Sequence, residues 1–138
     1  TNTRYFAYAK QAVRGTWPSL TWTAPRESQV MPSSRPSYYG QVWLLTDGAT
    51  VSAGETFALA LMERDPNILR IGSATRGAFS DMLPRTLPNG WLFALPNERY
   101  VTKDGESFDH KGIPVNTPQP DPMTDSLESL ILQLKKMS

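Results

Sequence analysis

Gln41-Val42-Trp43-Leu44-Leu45-Thr46-Asp47-Gly48-Ala49-Thr50-Val51-Ser52-Ala53-Gly54-Glu55-Thr56-Phe57-Ala58-Leu59-Ala60-Leu61-Met62 changes its hydrophobic period halfway, and that change decides the fold class. Val42 to Leu45 is an apolar run bounded by Gly40 and by Thr46-Asp47-Gly48, the pattern of a buried strand. Ala53 to Met62 is almost wholly apolar and reads as a buried helix. Ser52 stands at the strand-to-helix turn between them. There its hydroxyl lies beside unpaired backbone N–H groups and the positive end of the helix dipole, a place where an oxyanion can be held.

Downstream of the helix, Asp65-Pro66-Asn67 predicts a turn and Ile68-Leu69-Arg70-Ile71-Gly72 a short strand. Strand, helix and strand in that order make a right-handed crossover with two parallel strands, so the class is α/β. Residues 73–80 then form a loop, with Gly72 and Gly77 around Thr75-Arg76. In an open α/β sheet this loop and the Ser52 turn emerge on the same edge, the usual ligand side. Leu87-Pro88-Asn89-Gly90-Trp91 and Thr102-Lys103-Asp104-Gly105 carry Asn-Gly and Asp-Gly turn signals, which predict two β-hairpins from strands at 82–87, 91–95 and 99–102. Pro114, Pro118, Pro120 and Pro122 predict an extended crossing. Asp125-Ser126-Leu127-Glu128 then has capping-box spacing, and Leu127, Leu130, Ile131 and Leu134 line one face of a C-terminal amphipathic helix with Lys135 and Lys136 in its last turn.

Upstream of the opening stretch, Tyr5, Tyr8, Ala9, Ala12 and Val13 recur at helical spacing and predict a short helix that stops before Gly15. Residues 16–39 hold Pro18, Pro25, Pro32 and Pro36, an extended connection whose Trp17, Trp22, Tyr38 and Tyr39 need a body or a partner to lie against. The chain therefore divides into an irregular Pro-rich lead-in (1–40), a core (41–122) and a terminal helix (123–138), all within one domain.

The 138 residues suit a single core but are short for a complete hydrolase, and the chain begins at Thr1, so it reads as a piece of something longer. Fourteen Lys and Arg against thirteen Asp and Glu leave a net charge of +1 without a charge run, which supports neither a nucleic-acid nor a membrane-surface partner. With no cysteine there is no thiol nucleophile or disulfide, and with His110 the single histidine no all-histidine metal site can form within the chain. No metal and no cofactor is expected. No apolar run approaches twenty residues, so no membrane-spanning segment is expected.

Taken by themselves, the candidate residues have ordinary readings. Ser52 is a serine at a helix start, Glu55 three residues on has capping-box spacing, and His110 beside Asp109 in a polar loop is a surface histidine. Four motifs taken together change that reading. Thr50-Val51-Ser52-Ala53-Gly54-Glu55 with its apolar helix, Ile71-Gly72-Ser73-Ala74-Thr75-Arg76-Gly77, Tyr100-Val101-Thr102-Lys103-Asp104-Gly105 and Lys111-Gly112-Ile113-Pro114 resemble, in order, the C-terminal processing (tail-specific) serine peptidase family, which includes the tricorn protease core. The resemblance runs from about Gly40 to the final helix. It implies a crotonase/Clp-protease-like spiralled ββα core, of which this chain would be the C-terminal portion, and peptide cleavage by acyl transfer from a serine.

Carried over by position, the resemblance puts the nucleophile on Ser52, because the family's Ser-Ala-Ser-Glu reads Ser52-Ala53-Gly54-Glu55 here, and it makes the Ala53 N–H an oxyanion donor. The departure is at the base. Where many members carry Thr-Phe-Gly-Lys, this chain has Thr75-Arg76-Gly77-Ala78, and no lysine occurs between Lys10 and Lys103. Arg76 stays protonated and cannot serve. The resemblance is therefore closer to the tricorn-like Ser-His-acid type, with Asp109 matching the acid and the histidine belonging to an upstream region. His110 serves as base only if its loop folds over Ser52.

The expected function is a serine endopeptidase fragment, inactive in isolation, whose partners are a peptide substrate and an upstream part of the same protein or another chain. The family favours a periplasmic or secreted location. The alternative is a non-catalytic ligand-binding or scaffold domain on the same fold, as in interphotoreceptor retinoid-binding protein, with the aromatics of 16–39 and of 91–93 lining an apolar groove. A crotonase-type acyl-CoA enzyme ranks below both, for want of a nucleotide-binding motif.

Overall fold

The computed structural model describes residues 5–62, 64, 67–118 and 127–136. Its centre is the crossover that the opening stretch predicts. Strand β4 (Val42–Thr46) leads through helix α1 (Ala53–Met62) to β5 (Ile68–Gly72), and the two strands pair in parallel with Val42 opposite Ile68 and Thr46 opposite Gly72. A short β9 (Thr117–Pro118) adds in parallel to the far edge of β5. Asp65 and Pro66 of the expected turn lie outside the described residues.

Side chains alternate across a strand, and the two faces of this sheet meet different neighbours. Leu44 packs into a core of Ala58 and Leu59 from α1 together with Phe79, Tyr100, Phe108 and Ile113. Trp43, Leu69 and Ile71 face the other way and pack with Leu134 of α2 (Leu127–Lys135). A helix thus stands at the predicted C-terminal place. Its expected cap at Asp125 and the side chains of Leu127 and Leu130 lie outside the described residues, and Ile131, expected on the docking face, is exposed.

Burial of the opening stretch is more one-sided than its composition predicts. On α1, Glu55, Ala58 and Leu59 are buried while Phe57 is 57% exposed. On β4, Val42 to Leu44 are half-buried and Leu45 is exposed. An apolar run shows what can be buried, whereas neighbours decide which face is.

The short helix expected before Gly15 does not form. Residues 5–14 form a ten-residue strand, β1 (Tyr5–Arg14), followed by β2 (Thr21–Trp22) and β3 (Arg26–Val30). Antiparallel pairing joins β1 to β2 and β3, and also to β8 (Glu98–Val101). The i, i+3, i+4 apolar spacing of Tyr5, Tyr8, Ala9 and Ala12 misleads because β1 is an inner strand, flanked on both edges and covered by α1 on one side, so it lacks the clean alternation of a half-exposed strand. Tertiary pairing also outweighs the helix propensity of its alanines.

Of the two expected hairpins, one forms. Strands β6 (Met82–Thr86) and β7 (Leu92–Pro96) pair antiparallel around Asn89-Gly90, where Gly90 adopts φ 85°. The Asp104-Gly105 turn is also present, with Gly105 N–H donating to Thr102 O at 3.0 Å, but the next described strand, β9, pairs with β5 and not with β8. Strand β8 is paired with β1 instead of with a hairpin mate. Taken together, the described residues form a sheet-dominated α/β structure.

Candidate active site

Three loops meet at the carboxyl edge of the β4–β5 pair. The first is the 47–52 turn. Asp47 Oδ1 accepts from the Ala49 and Thr50 N–H groups at 2.9 and 3.0 Å, an arrangement that aspartate favours in turns. The turn ends at Ser52, whose φ of 50° lies in the left-handed region that non-glycine residues seldom adopt. Its side chain is exposed, and among the described residues its hydroxyl makes no hydrogen bond. The next residue, Ala53, opens α1, and its N–H likewise has no partner among the described residues, as expected at the first turn of a helix.

The left-handed backbone at Ser52 is held from behind by Glu55. This carboxylate is fully buried and accepts four hydrogen bonds. They come from Thr75 Oγ1 at 2.6 Å, Gly77 N–H at 2.6 Å, Ala78 N–H at 2.8 Å and Ser52 N–H at 3.2 Å. Ser52 N–H also donates to Ala78 O at 2.9 Å. Buried charge is costly unless it is fully hydrogen-bonded, and here both oxygens are engaged. The capping-box spacing in the sequence pointed to the Ser52 contact alone. That Glu55 also fastens the second loop, 75–78, is information about a distant segment that spacing does not carry.

The third loop, 107–113, packs across the second. Ile113 N–H donates to Thr75 Oγ1 at 2.8 Å, and His110 N–H donates to Gly77 O at 2.9 Å. The approach is close enough that a Cβ on Gly112 would strike the Thr75 carbonyl, and Gly112 itself sits at φ 75°. Arg76, exposed, fastens the first loop to the second by N–H donation to Thr50 O at 3.0 Å and by Nε donation to Gly48 O at 2.6 Å.

Asp109 is half-buried in the third loop and accepts from Ser107 Oγ at 3.2 Å. Burial pushes its carboxyl above the usual carboxylate value, with the Glu55 charge adding to the rise and the Ser107 hydrogen bond and His110 opposing it. His110 is exposed at φ 63°. The Ser52 turn and the Asp109 loop thus attach to adjacent residues, Ala78 and Gly77, of one backbone. No hydrogen bond among the described residues joins Asp109 or His110 to the Ser52 hydroxyl. At the position where the family pattern has a lysine, Ala78 contributes only its backbone to the junction.

A groove of about 720 Å³ runs beside this junction, lined by Ala78, Asp109 and His110 and by Trp22 and Arg99 from the β1 sheet. Among the described residues, no helix is long and apolar enough to cross a membrane.

Comparison with known proteins identifies a family and a shared fold. The family model "Peptidase family S41" matches residues 3–118. No curated protein sequence matches the chain. Among solved structures, a candidate peptidase from Parabacteroides merdae superposes with a TM-score of 0.77 at 21% identity, over 97% of this chain and 44% of that one. The photosystem II D1 C-terminal processing protease gives a TM-score of 0.61 at 21% identity, over 90% of this chain and 29% of that one. Mature CPAF in complex with lactacystin gives 0.62 at 17% identity, over 70% and 20%. At these identities the structures show a shared fold, and the chain spans less than half the length of each.

Proposed function

The chain belongs to peptidase family S41, the C-terminal processing serine peptidases, and on that premise we propose that Ser52 is the nucleophile of a peptide-bond hydrolase. The observation that carries the reading is the left-handed backbone at an exposed serine, next to the free Ala53 N–H and locked from beneath by the buried Glu55. Strained backbone at a non-glycine residue persists only where its surroundings over-determine it, and such strain gathers at functional sites.

In this reading Ser52 Oγ attacks the scissile carbonyl carbon and forms a tetrahedral intermediate. The Ala53 N–H donates to the developing oxyanion, a contribution of a few kcal/mol for one such donor. The hydroxyl proton passes to a general base and from it to the leaving amine, which departs as the acyl–serine bond remains. Water then enters by the same route and frees the acid. The base is a histidine contributed by sequence beyond these residues or by another chain, since Arg76 stays protonated and the His110 side chain makes no bond to Ser52. Asp109 orients that histidine and stabilises its cation. The raised affinity of Asp109 for protons suits a carboxylate that waits for a cationic partner.

Fluorophosphonate labelling of the intact protein, with the adduct mapped by mass spectrometry, tests the reading. The expected adduct is on Ser52. The 138 residues alone are expected to show little or no cleavage, because a nucleophile without its base loses most of its activation. An adduct on another serine would remove Ser52 from the mechanism. If the intact protein gave no adduct and cleaved no peptide, the second reading would gain: Leu20 of the 16–39 segment and Phe93 of β7 line a further groove of about 660 Å³ with Leu83, Leu87 and Leu95, a surface suited to an apolar ligand.

A further inference from the structure

We propose that the groove beside the Ser52 turn is a subsite for a carboxylate of the substrate peptide, held by the Arg99 guanidinium. The inference rests on the reading of Ser52 as nucleophile and adds to it a specificity-determining residue.

The groove abuts the reaction centre through Ala78, which lines it and whose carbonyl accepts from Ser52 N–H. Part of its wall is one face of the β1 sheet. Gln11 is paired with Arg99 and Val13 with Trp22, and Gln11 and Val13 are two residues apart on β1, so all four side chains share that face. Arg99 is fixed there twice. Its Nε donates to Gln11 Oε1 at 3.0 Å, and its guanidinium carbon lies 4.6 Å from the centroid of the Trp22 ring. These contacts occupy one N–H and one face of the plane. The terminal amino groups make no hydrogen bond and no ion pair among the described residues.

Arg99 and Lys111 share the groove's lining with Glu98 and Asp109. Glu98, which also lines the groove, is taken by Lys10 Nζ at 3.0 Å. Asp109 accepts from Ser107 Oγ and is assigned to the base. Lys111, exposed on the same groove, adds a second positive charge. Arginine presents a planar fork that matches a carboxylate with two parallel hydrogen bonds. A fork already stacked on an aromatic ring loses little further rotamer freedom when it binds. Val13, Met82 and Pro96 supply apolar wall for the methylenes of a bound residue.

Two sources carry the required group, a Glu or Asp side chain and the C-terminus of the peptide. The experiment separates them. Dye-labelled decapeptides that differ only in one internal Glu or Gln, each made as the free acid and as the C-terminal amide, are titrated by fluorescence anisotropy against the full-length Ser52→Ala protein. The expected result is roughly tenfold tighter binding for one member of a pair, the strength of a charge-assisted fork. Preference within the Glu/Gln pair assigns a side-chain carboxylate, and preference within the acid/amide pair assigns the terminus. The preference should vanish in Ser52→Ala/Arg99→Gln and fall in Ser52→Ala/Arg99→Lys, which keeps the charge without the fork. Should the Gln variant fail to fold, the Lys variant decides. Equal binding of all four peptides, or a preference that survives both substitutions, overturns the proposal. Because the readout is binding, a wrong nucleophile would leave this pattern unchanged, and a failed pattern would leave labelling at Ser52 unchanged.

Discussion

The junction around Glu55 and the β6–β7 hairpin lie within one chain and are built on opposite principles. At the junction, loops that begin at residues 47 and 75 satisfy the oxygens of a fully buried carboxylate with donors from Ser52, Thr75, Gly77 and Ala78, and the loop that begins at 107 packs across the second of them. In the hairpin, every residue of β7 is exposed, including Leu92 at 77% and Leu95 at 58%. Its shape comes from the Asn89-Gly90 turn and the ladder between its strands. The junction is thus specified by tertiary contacts and the hairpin by local ones. A polar network can hold backbone in a costly conformation, whereas an exposed apolar ladder holds only itself.

The largest expected effect strikes the junction directly. Glu55→Ala removes the acceptor of three backbone N–H groups and a hydroxyl, and at ~1–3 kcal/mol for each buried donor left unpaired, with some water entering, the loss is about 4 kcal/mol. Urea unfolding followed by circular dichroism reads it as a fall in midpoint, and a loss below about 1 kcal/mol would break the contrast between the two regions. Gly112→Ala comes next. A methyl there meets the Thr75 carbonyl at a backbone angle that disfavours side chains, for a loss of about 3 kcal/mol by the same assay. Leu92→Thr in the hairpin is expected to stay within about 0.5 kcal/mol, as for other exposed positions. A cost like that of Gly112→Ala would mean that the hairpin is packed against something, and would erase the distinction.

The same division explains what the sequence disclosed. The β4–α1–β5 crossover and the 82–96 hairpin were legible because each is coded within a short window, by a change of period or by an Asn-Gly turn. Strand β1 has the spacing of a helix, and its pairing partners, β3 and β8, lie outside any such window. Asp104-Gly105 signals a turn that forms, but a turn signal does not say which strand comes back to pair. At the site, Ser52 and Ala53 were placed at the helix start by pattern alone. The role proposed for Asp109 came only through resemblance, since nothing local distinguishes it from a surface aspartate. Glu55 was visible as a cap and invisible as a hub, because Thr75, Gly77 and Ala78 reach it across twenty or more residues.

The pairing of β1 with β8 also sets an order of events as the chain leaves the ribosome. Gln11 and Arg99 are 88 residues apart. Domains form from the N-terminus during synthesis, and contacts of long sequence separation close last. Strand β3 can cover one edge of β1 early, but the other edge stays open until Glu98–Val101 has emerged. Between the emergence of β1 and that of β8 the partner that β8 supplies is missing from this edge, the kind of surface to which another extended chain can add. The β4–α1–β5 unit, local in sequence, can be complete well before that edge is closed.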